Sequence, residues 1–380
     1  KLDGNYPTGV ENVALGDTAL DSVESGGQWN TAVGAKALTA TTTGDANSGF
    51  GRITLEANTT GGNNTAIGYA ALNANTTASD NTAVGYLALL ANTTGTQNSS
   101  LGSLALDANT TGSHNTAIGY SALSANTTAD FNTAVGRNAL DINTTGGSNV
   151  AVGGNSLDAN TTGSTNTAIG TSSLSSNTTA SGNTAIGANT LNANTTGTFN
   201  VAVGKDALLV NTTANNNTAL GFFTLKNNTT GASNTALGSD ALQKNTTASN
   251  NTAVGLHALL ENTTGAQNTA VGSFALDANT TANANTALGY NALTANTTGS
   301  DNNAIGWGAL SSNTTGNSNV ALGAATLDAN TEGAANTAIG NSALGANTTA
   351  SNNTAVGFSA LLSNTTGTQN TAVGSLSLDA

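Results

Sequence analysis

The sequence predicts an all-β protein built as a β-solenoid of about 22 coils. Three observations support this prediction. An asparagine-led repeat recurs every 17 residues, and a fixed period of this kind is typical of solenoids and other arrays. Each repeat combines β-branched residues with glycine, which favours short strands and turns over helix. Only 7% of the residues are charged, which argues against a disordered chain of high net charge.

The repeat is numbered from its leading asparagine, as positions 1 to 17. We expect residues 1–11 to be a lead-in or a partial cap, because they match no repeat. Residues 12–380 are predicted to form one continuous solenoid. Its coils are irregular over residues 12–63 and regular over residues 64–380, where the register never slips.

Constant and variable positions separate the predicted inside of the coil from its outside. Positions 1, 5 and 9 are Asn, Gly and Leu in all 22 repeats. Position 4 is Ile, Val or Leu except at Phe50, and position 3 is Ala apart from Gly49 and Ser100. Positions 6, 7, 10, 16 and 17 vary freely, so we expect them on the surface.

Each coil is predicted to contain two strands and two turns. Positions 1 to 4 form the first strand, positions 7 to 11 the second, and the NTTG or NTTA segment with its two followers the return loop. Stacking of 22 such coils at about 4.8 Å gives a rod on the order of 105 Å long. The position 5 glycines, as in Gly68, Gly85 and Gly119, are expected to supply positive φ or to allow close approach of coils.

Two asparagine columns are predicted to be structural ladders. Stacked side-chain amides can hydrogen-bond from coil to coil, and asparagine tolerates left-handed geometry at a bend. Position 1 contributes Asn64, Asn81 and Asn115, and position 12 contributes Asn75, Asn92 and Asn109.

Alternation along a strand gives a prediction for the faces of the coil. Successive side chains of a strand point to opposite sides, so the large aliphatic position 4 is predicted to face the interior and the alanine at position 3 the other way. Apolar residues on both faces indicate a sheet covered on both sides, so we expect neighbouring chains to supply one cover. The predicted core or interface residues are Ile67, Leu72, Val84, Leu89, Ile118 and Leu123.

Two repeats carry a resemblance to a known family. Residues 149–153 and 200–204, both NVAVG, resemble the NSVAIG-type motif in the YadA-like head repeats of trimeric autotransporter adhesins. The commoner NTAIG and NTAVG repeats are similar to the same motif in fibre-like bacterial surface and phage-tail proteins. The resemblance covers roughly residues 12–380 and implies a left-handed β-roll, wound by three chains into a homotrimeric rod.

Composition and motifs argue against several other classes of protein. His114 and His257 stand alone at variable positions, so we expect no enzyme, no cofactor and no metal site. Seven scattered basic residues are too few for a nucleic-acid surface, and no stretch of 18 apolar residues predicts a membrane span in this segment. The absence of cysteine excludes a disulfide framework. Carboxylates recur at position 10, where a solvated face is a simpler interpretation than a calcium site.

The favoured function is an extracellular or cell-surface fibre or adhesin rod that mediates surface attachment or cell-cell and biofilm contact. Its partners would be copies of itself and an unknown surface or matrix ligand. Two alternatives are a filament assembled end to end and an ice-binding domain that uses the threonine columns of positions 13 and 14. The NTT triplet of 18 repeats is formally an N-glycosylation sequon, although the ladder is taken as its primary role.

Aromatic residues recur at position 6. They form either an exposed binding stripe or a cover for the solenoid edge. The candidate stripe consists of Tyr69, Tyr86, Tyr120, Tyr290 and Trp307.

Overall fold

The computed structural model describes residues 11–379, so the predicted lead-in lies, apart from Glu11, outside the described residues. Within them the chain is a parallel β-solenoid with one short strand in each coil of about 17 residues and no helix. This confirms the all-β solenoid with its predicted period. The chain divides into two compact units, unit 1 (Lys1–Asn189) and unit 2 (Thr190–Ala380).

Every strand covers positions 2 to 4 of its repeat and is three residues long. The strands of unit 1 are β1 (Val13–Leu15), β2 (Thr31–Val33), β3 (Ser48–Phe50), β4 (Thr65–Ile67), β5 (Thr82–Val84), β6 (Ser99–Leu101), β7 (Thr116–Ile118), β8 (Thr133–Val135), β9 (Val150–Val152), β10 (Thr167–Ile169) and β11 (Thr184–Ile186). The strands of unit 2 are β12 (Val201–Val203), β13 (Thr218–Leu220), β14 (Thr235–Leu237), β15 (Thr252–Val254), β16 (Thr269–Val271), β17 (Thr286–Leu288), β18 (Asn303–Ile305), β19 (Val320–Leu322), β20 (Thr337–Ile339), β21 (Thr354–Val356) and β22 (Thr371–Val373).

Successive strands within each unit pair in parallel, and the paired residues occupy the same repeat position. In β4 and β5, for example, Ala66 lies beside Ala83 and Ile67 beside Val84. The backbone N–H of Thr65 donates to the carbonyl of Asn81 in the next coil at 2.9 Å. Each repeat position therefore becomes a column of stacked side chains, and the chemistry of a column can be read directly from the sequence.

The predicted second strand over positions 7 to 11 is wrong. Positions 7 and 9 adopt left-handed backbone conformations, as in Ala70 (φ 56°) and Leu72 (φ 52°). The chain still bonds from coil to coil, since the N–H of Leu72 donates to the carbonyl of Ala88 at 2.9 Å. Left-handed residues break the alternation of a strand, so positions 8 and 9 both point into the coil and are both buried.

The orientation of the first strand is the reverse of the predicted one. Ala66 at position 3 is 0% exposed, whereas Ile67 at position 4 is 42% exposed. Position 3 packs against the interior leucine, because a Cβ added at Gly49 would lie 3.3 Å from Leu38 Cδ1 and 2.9 Å from Thr54 Oγ1. So thin an interior admits only a small side chain there, and the large aliphatic must face outwards.

The six predicted core or interface residues therefore divide into two groups. Leu72, Leu89 and Leu123 are fully buried and form the core of their coils. The position 4 residues lie on the outer face of the sheet, and an interface role for them stays a prediction. They are Ile67, Val84 and Ile118.

The predicted asparagine ladder of position 12 is confirmed. Asn109 Nδ2 donates to Asn92 Oδ1 of the preceding coil at 2.9 Å and to the carbonyl of Gly112 at 2.9 Å. Its own Oδ1 accepts from Asn126 Nδ2 at 2.8 Å. Where Thr41 takes this position, its buried hydroxyl has no hydrogen-bond partner, because threonine cannot span the step between coils.

Position 1 forms a second ladder of a different kind. The backbone N–H of Asn81 donates to Asn64 Oδ1 at 3.0 Å, and Asn81 Nδ2 donates to the carbonyl of Gly95 at 2.9 Å. Asn92 of the other ladder donates to the same Gly95 carbonyl at 2.9 Å. Both ladders thus converge on the carbonyl of position 15. The predicted ladder residues all lie within them.

The position 5 glycines combine both properties expected of them. Gly68, Gly85 and Gly119 have φ values of 126°, 145° and 131°. A Cβ on any of them would collide with the glycine carbonyl at the same position of the next coil. Glycine is therefore required at position 5 by backbone conformation and by space together.

We expect Gly153→Ala to lower the free energy of unfolding by about 1–3 kcal/mol, because alanine disfavours φ 132° and its Cβ would lie 2.6 Å from the Gly170 carbonyl oxygen. The neighbouring Gly154→Ala is the control, since a Cβ at that residue meets nothing within 4 Å. Chemical denaturation followed by circular dichroism compares the two. Equal midpoints would contradict this account of position 5.

Asn109→Ala should lower the free energy of unfolding by about 1–3 kcal/mol, because buried polar groups of Asn92 and Asn126 lose a ladder partner. Thr111→Ala in the same coil changes an exposed side chain and should have little effect. The same denaturation measurement applies, and a loss of stability in both variants alike would argue against a special role for the ladder.

Candidate functional site

The outer face of the β-sheet is the largest apolar surface of each unit. We call the side chains of positions 2 and 4 the sheet face. They are Thr or Val with occasional Ser and Asn at position 2, and Ile, Val or Leu at position 4 apart from Phe50. No charged residue occurs at either position among the described coils. Parallel sheets are normally covered on both faces, whereas here only the inner face is covered by the chain's own Ala and Leu.

The predicted aromatic residues of position 6 are all exposed. In unit 1 the rings of Tyr69 and Tyr86 stack with centroids 5.6 Å apart, and the Arg52 guanidinium lies 5.8 Å from the Tyr69 centroid. Tyr120 lies two coils further on, beyond Ser103. Tyr290 and Trp307 occupy neighbouring coils of unit 2. The structure therefore brings the five predicted residues together only in part.

Sequence reasoning missed the contribution of position 7. Phe223 stacks on Phe222 with centroids 3.7 Å apart. His257 Nε2 lies 3.8 Å from Asp240 Oδ2, and its ring stands edge-on to Phe274 at 5.3 Å. These residues recur 17 apart, so reading position 7 as a column would have revealed their proximity.

The carboxylates of position 10 lie against the coil and are partly buried. Burial raises the pKa of the Asp107, Asp158, Asp277 and Asp328 carboxyls, and the charge of Asp141 adds to the effect at Asp107 and Asp158. Asp158 and Asp277 each have a buried Oδ1 without a hydrogen-bond partner. Across residues 11–379, no three His, Cys, Asp or Glu side chains are grouped so that they could hold a metal ion.

The threonine columns differ in their availability to solvent. The position 13 hydroxyl is engaged in the fold, as in Thr93, whose Oγ1 donates to the carbonyl of Thr110 at 3.0 Å. Position 14, as in Thr94, is exposed. A planar surface made of both columns is therefore not formed.

The asparagine of the NTT triplet is buried and committed to the ladder. Asn92 Nδ2 donates both to Asn75 Oδ1 and to the carbonyl of Gly95. In the folded coil this amide is not accessible for glycan attachment.

Position 16 varies less freely than the sequence indicated. Its backbone N–H donates to the side-chain oxygen of position 16 in the next coil, as from Gly62 to Ser79 Oγ at 3.1 Å and from Thr96 to Ser113 Oγ at 3.1 Å. This explains the abundance of Ser, Asn and Asp in the column.

Comparison with known proteins adds no assignment to this geometry. No protein-family model matches the chain, and none of the curated proteins compared with it matches. Over the described part of the chain, no helix has the length and apolar character needed to cross a bilayer.

Asp158→Asn should stabilise the protein at pH 7. Burial raises the pKa of this carboxyl in the folded state, so the folded protein binds the proton more tightly than the unfolded chain does. The stability that protonation provides is present below the unfolded pKa of 3.8 and is lost as the pH rises through the folded pKa. Asparagine removes the charge that causes this loss.

Thermal unfolding at pH 7 and at pH 3 tests the prediction. The melting temperature of the Asp158→Asn variant should exceed that of the parent protein at pH 7, and the two should converge at pH 3. Asp301→Asn, which changes an exposed carboxylate, is the control. A destabilised Asp158→Asn variant at pH 7 would show that the carboxylate is needed in its charged form.

Proposed function

We propose that this chain is a non-enzymatic structural fibre or adhesin rod, located outside the cell or on its surface, that mediates attachment. The observation that carries the proposal is the sheet face, an apolar and uncharged surface repeated in every coil of each unit. A contiguous exposed apolar surface of this kind marks an interaction site. The asparagine ladders support a structural role, because they join each coil to its neighbours and so suit a long repetitive support.

The proposed assembly is a homotrimer that buries the sheet faces of three chains. The chain carries a net charge of −13, yet its sheet face has none, so face-to-face association brings no like charges together there. Closed cyclic symmetry is the usual form of such assemblies. The chain count of three and the left-handed winding rest on the resemblance of the NVAVG repeats to YadA-like heads.

Ice binding is the second candidate. The exposed threonine column of position 14 and the threonines of the sheet face favour it, because both present hydroxyl and methyl groups once per coil. The engagement of the position 13 hydroxyls in backbone hydrogen bonds weighs against it. Thermal hysteresis of the purified chain measures this activity directly, and its presence would favour ice binding over attachment.

The assembly has a direct test in sedimentation equilibrium. We expect a mass three times that of the 36.8 kDa chain. Replacing Ile118, Ile169 and Ile186 of the sheet face together by Lys should shift the protein to monomers with an unchanged circular dichroism spectrum, because these side chains do not pack inside their own coils.

The matched control places the same three charges on exposed position 14 residues of the same coils, Thr128, Thr179 and Thr196, and should leave the trimer intact. A monodisperse monomer of the unchanged protein would overturn the proposed assembly. Negative-stain electron microscopy of the same sample separates discrete particles from the end-to-end filament.

A further inference from the structure

One outward surface of unit 2 differs from the rest of the chain by concentrating aromatic and basic side chains. It runs along positions 6, 7, 10 and 11 of successive coils, and we call it the aromatic strip. It contains all three lysines of unit 2 and its histidine. Its members are Lys205, Asp206, Phe222, Phe223, Lys226, Asp240, Gln243, Lys244, Leu256, His257, Glu261, Phe274, Asp277, Tyr290 and Trp307.

The rings of the strip contact one another or a cation. Lys226 Nζ lies 4.0 Å from the Phe223 centroid, at one end of the strip. His257 meets Phe274 edge-on at 5.3 Å, and Phe274 in turn meets Tyr290 at 6.0 Å. Trp307 follows in the next coil.

These rings are not needed to complete the coil. The interior beneath them is closed by alanine and leucine that are 0% exposed, and position 6 is Ala, Ser or Thr in many other coils. Tyr290 and Trp307 remain 47% and 61% exposed. Exposed rings without a packing role are available to a ligand, and aromatic residues dominate the energetics of many binding surfaces.

Polar groups are interleaved with the rings. Gln243 Nε2 donates to Asp240 Oδ1 at 2.7 Å, and Ser239 Oγ donates to Asp240 Oδ2 at 2.7 Å. This fixed carboxylate lies between the Phe223 and Phe274 coils. An apolar protein partner would have to bury it, whereas a ligand rich in hydroxyl groups can bond to it.

The charges of the strip nearly balance. Lys205 pairs with Asp206 at 3.0 Å, and Lys244 pairs with Glu261 at 2.6 Å. With three lysines against Asp206, Asp240, Glu261 and Asp277, the net charge is −1 when His257 is neutral. Such a surface offers no general attraction to a polyanion.

We propose that the aromatic strip binds a neutral polysaccharide chain lying along the coil axis of unit 2. The exposed rings stack on the C–H faces of successive sugar rings, and the carboxylate and amide groups between them bond to sugar hydroxyls. The inference rests on the proposed attachment function, to which it gives a class of ligand.

The test uses the complete chain and measures its retention on neutral polysaccharides, namely cellulose, chitin, xylan, dextran and mixed-linkage β-glucan. At least one should retain the protein, and retention should persist at high salt because no net charge attracts the ligand. The Tyr290→Ala, Trp307→Ala double variant should bind that polysaccharide about tenfold more weakly or less, as expected for loss of aromatic anchors. Tyr120→Ala is the matched control, because Tyr120 is equally exposed at position 6 of unit 1 but lies outside the strip.

A second readout uses the fluorescence of Trp307. The chain has two tryptophans, and Trp29→Phe leaves Trp307 as the reporter. A soluble fragment of the retained polysaccharide should shift or quench its emission in a saturable manner. An unchanged spectrum would overturn stacking on Trp307.

Three further results would overturn the inference. They are retention by none of the neutral polysaccharides, binding only to heparin with a steep salt dependence, and equal binding of mucin before and after its glycans are removed. Each leaves the proposed function standing if the protein remains trimeric and still adheres to surfaces. A monomeric protein without adhesion would instead refute the proposed function itself.

Discussion

The convergence of two asparagine amides on the position 15 carbonyl is the interaction on which the coil depends. A coil with a strand of only three residues leaves most of its backbone groups outside a conventional ladder. Buried peptide groups must nevertheless be hydrogen-bonded. Asparagine supplies two donors and an acceptor on one short side chain, so one residue can serve its own coil and the adjacent one. The unpartnered hydroxyl of Thr41 shows what is lost when another residue takes that place.

The thin interior has consequences for the outside of the molecule. With asparagine, alanine and leucine filling each coil, the larger aliphatic of position 4 has no room inside. It is displayed on a regular parallel sheet instead, where it forms the sheet face. A single chain therefore satisfies its polar groups internally but leaves an apolar surface uncovered. This imbalance, polar ladders within and apolar columns outside, is the physical basis for proposing association with other copies of the chain.

Separation of the ladder from the surface also explains how a monotonous chain can carry local specificity. Positions 6, 7, 10 and 11 contribute nothing indispensable to the interior, so their side chains can change from coil to coil. Register then places substitutions of successive repeats side by side. The aromatic strip arises in this way, since residues 17 apart, such as His257 and Phe274, become direct neighbours.

The sequence by itself determined the period, the parallel stacking, the asparagine ladders and the need for glycine at position 5. These follow from constant residues whose chemistry has few uses, as with Gly68, where only glycine avoids the next coil. Only the tertiary structure decided that Ala66 faces inwards, that Ile67 faces outwards and that positions 7 to 11 are not a strand. Position 7 accepts residues as different as Ala70, Phe223 and His257, so no residue type announces its left-handed conformation. Hydrogen bonds between coils impose that conformation, and it turns two consecutive side chains into the same interior.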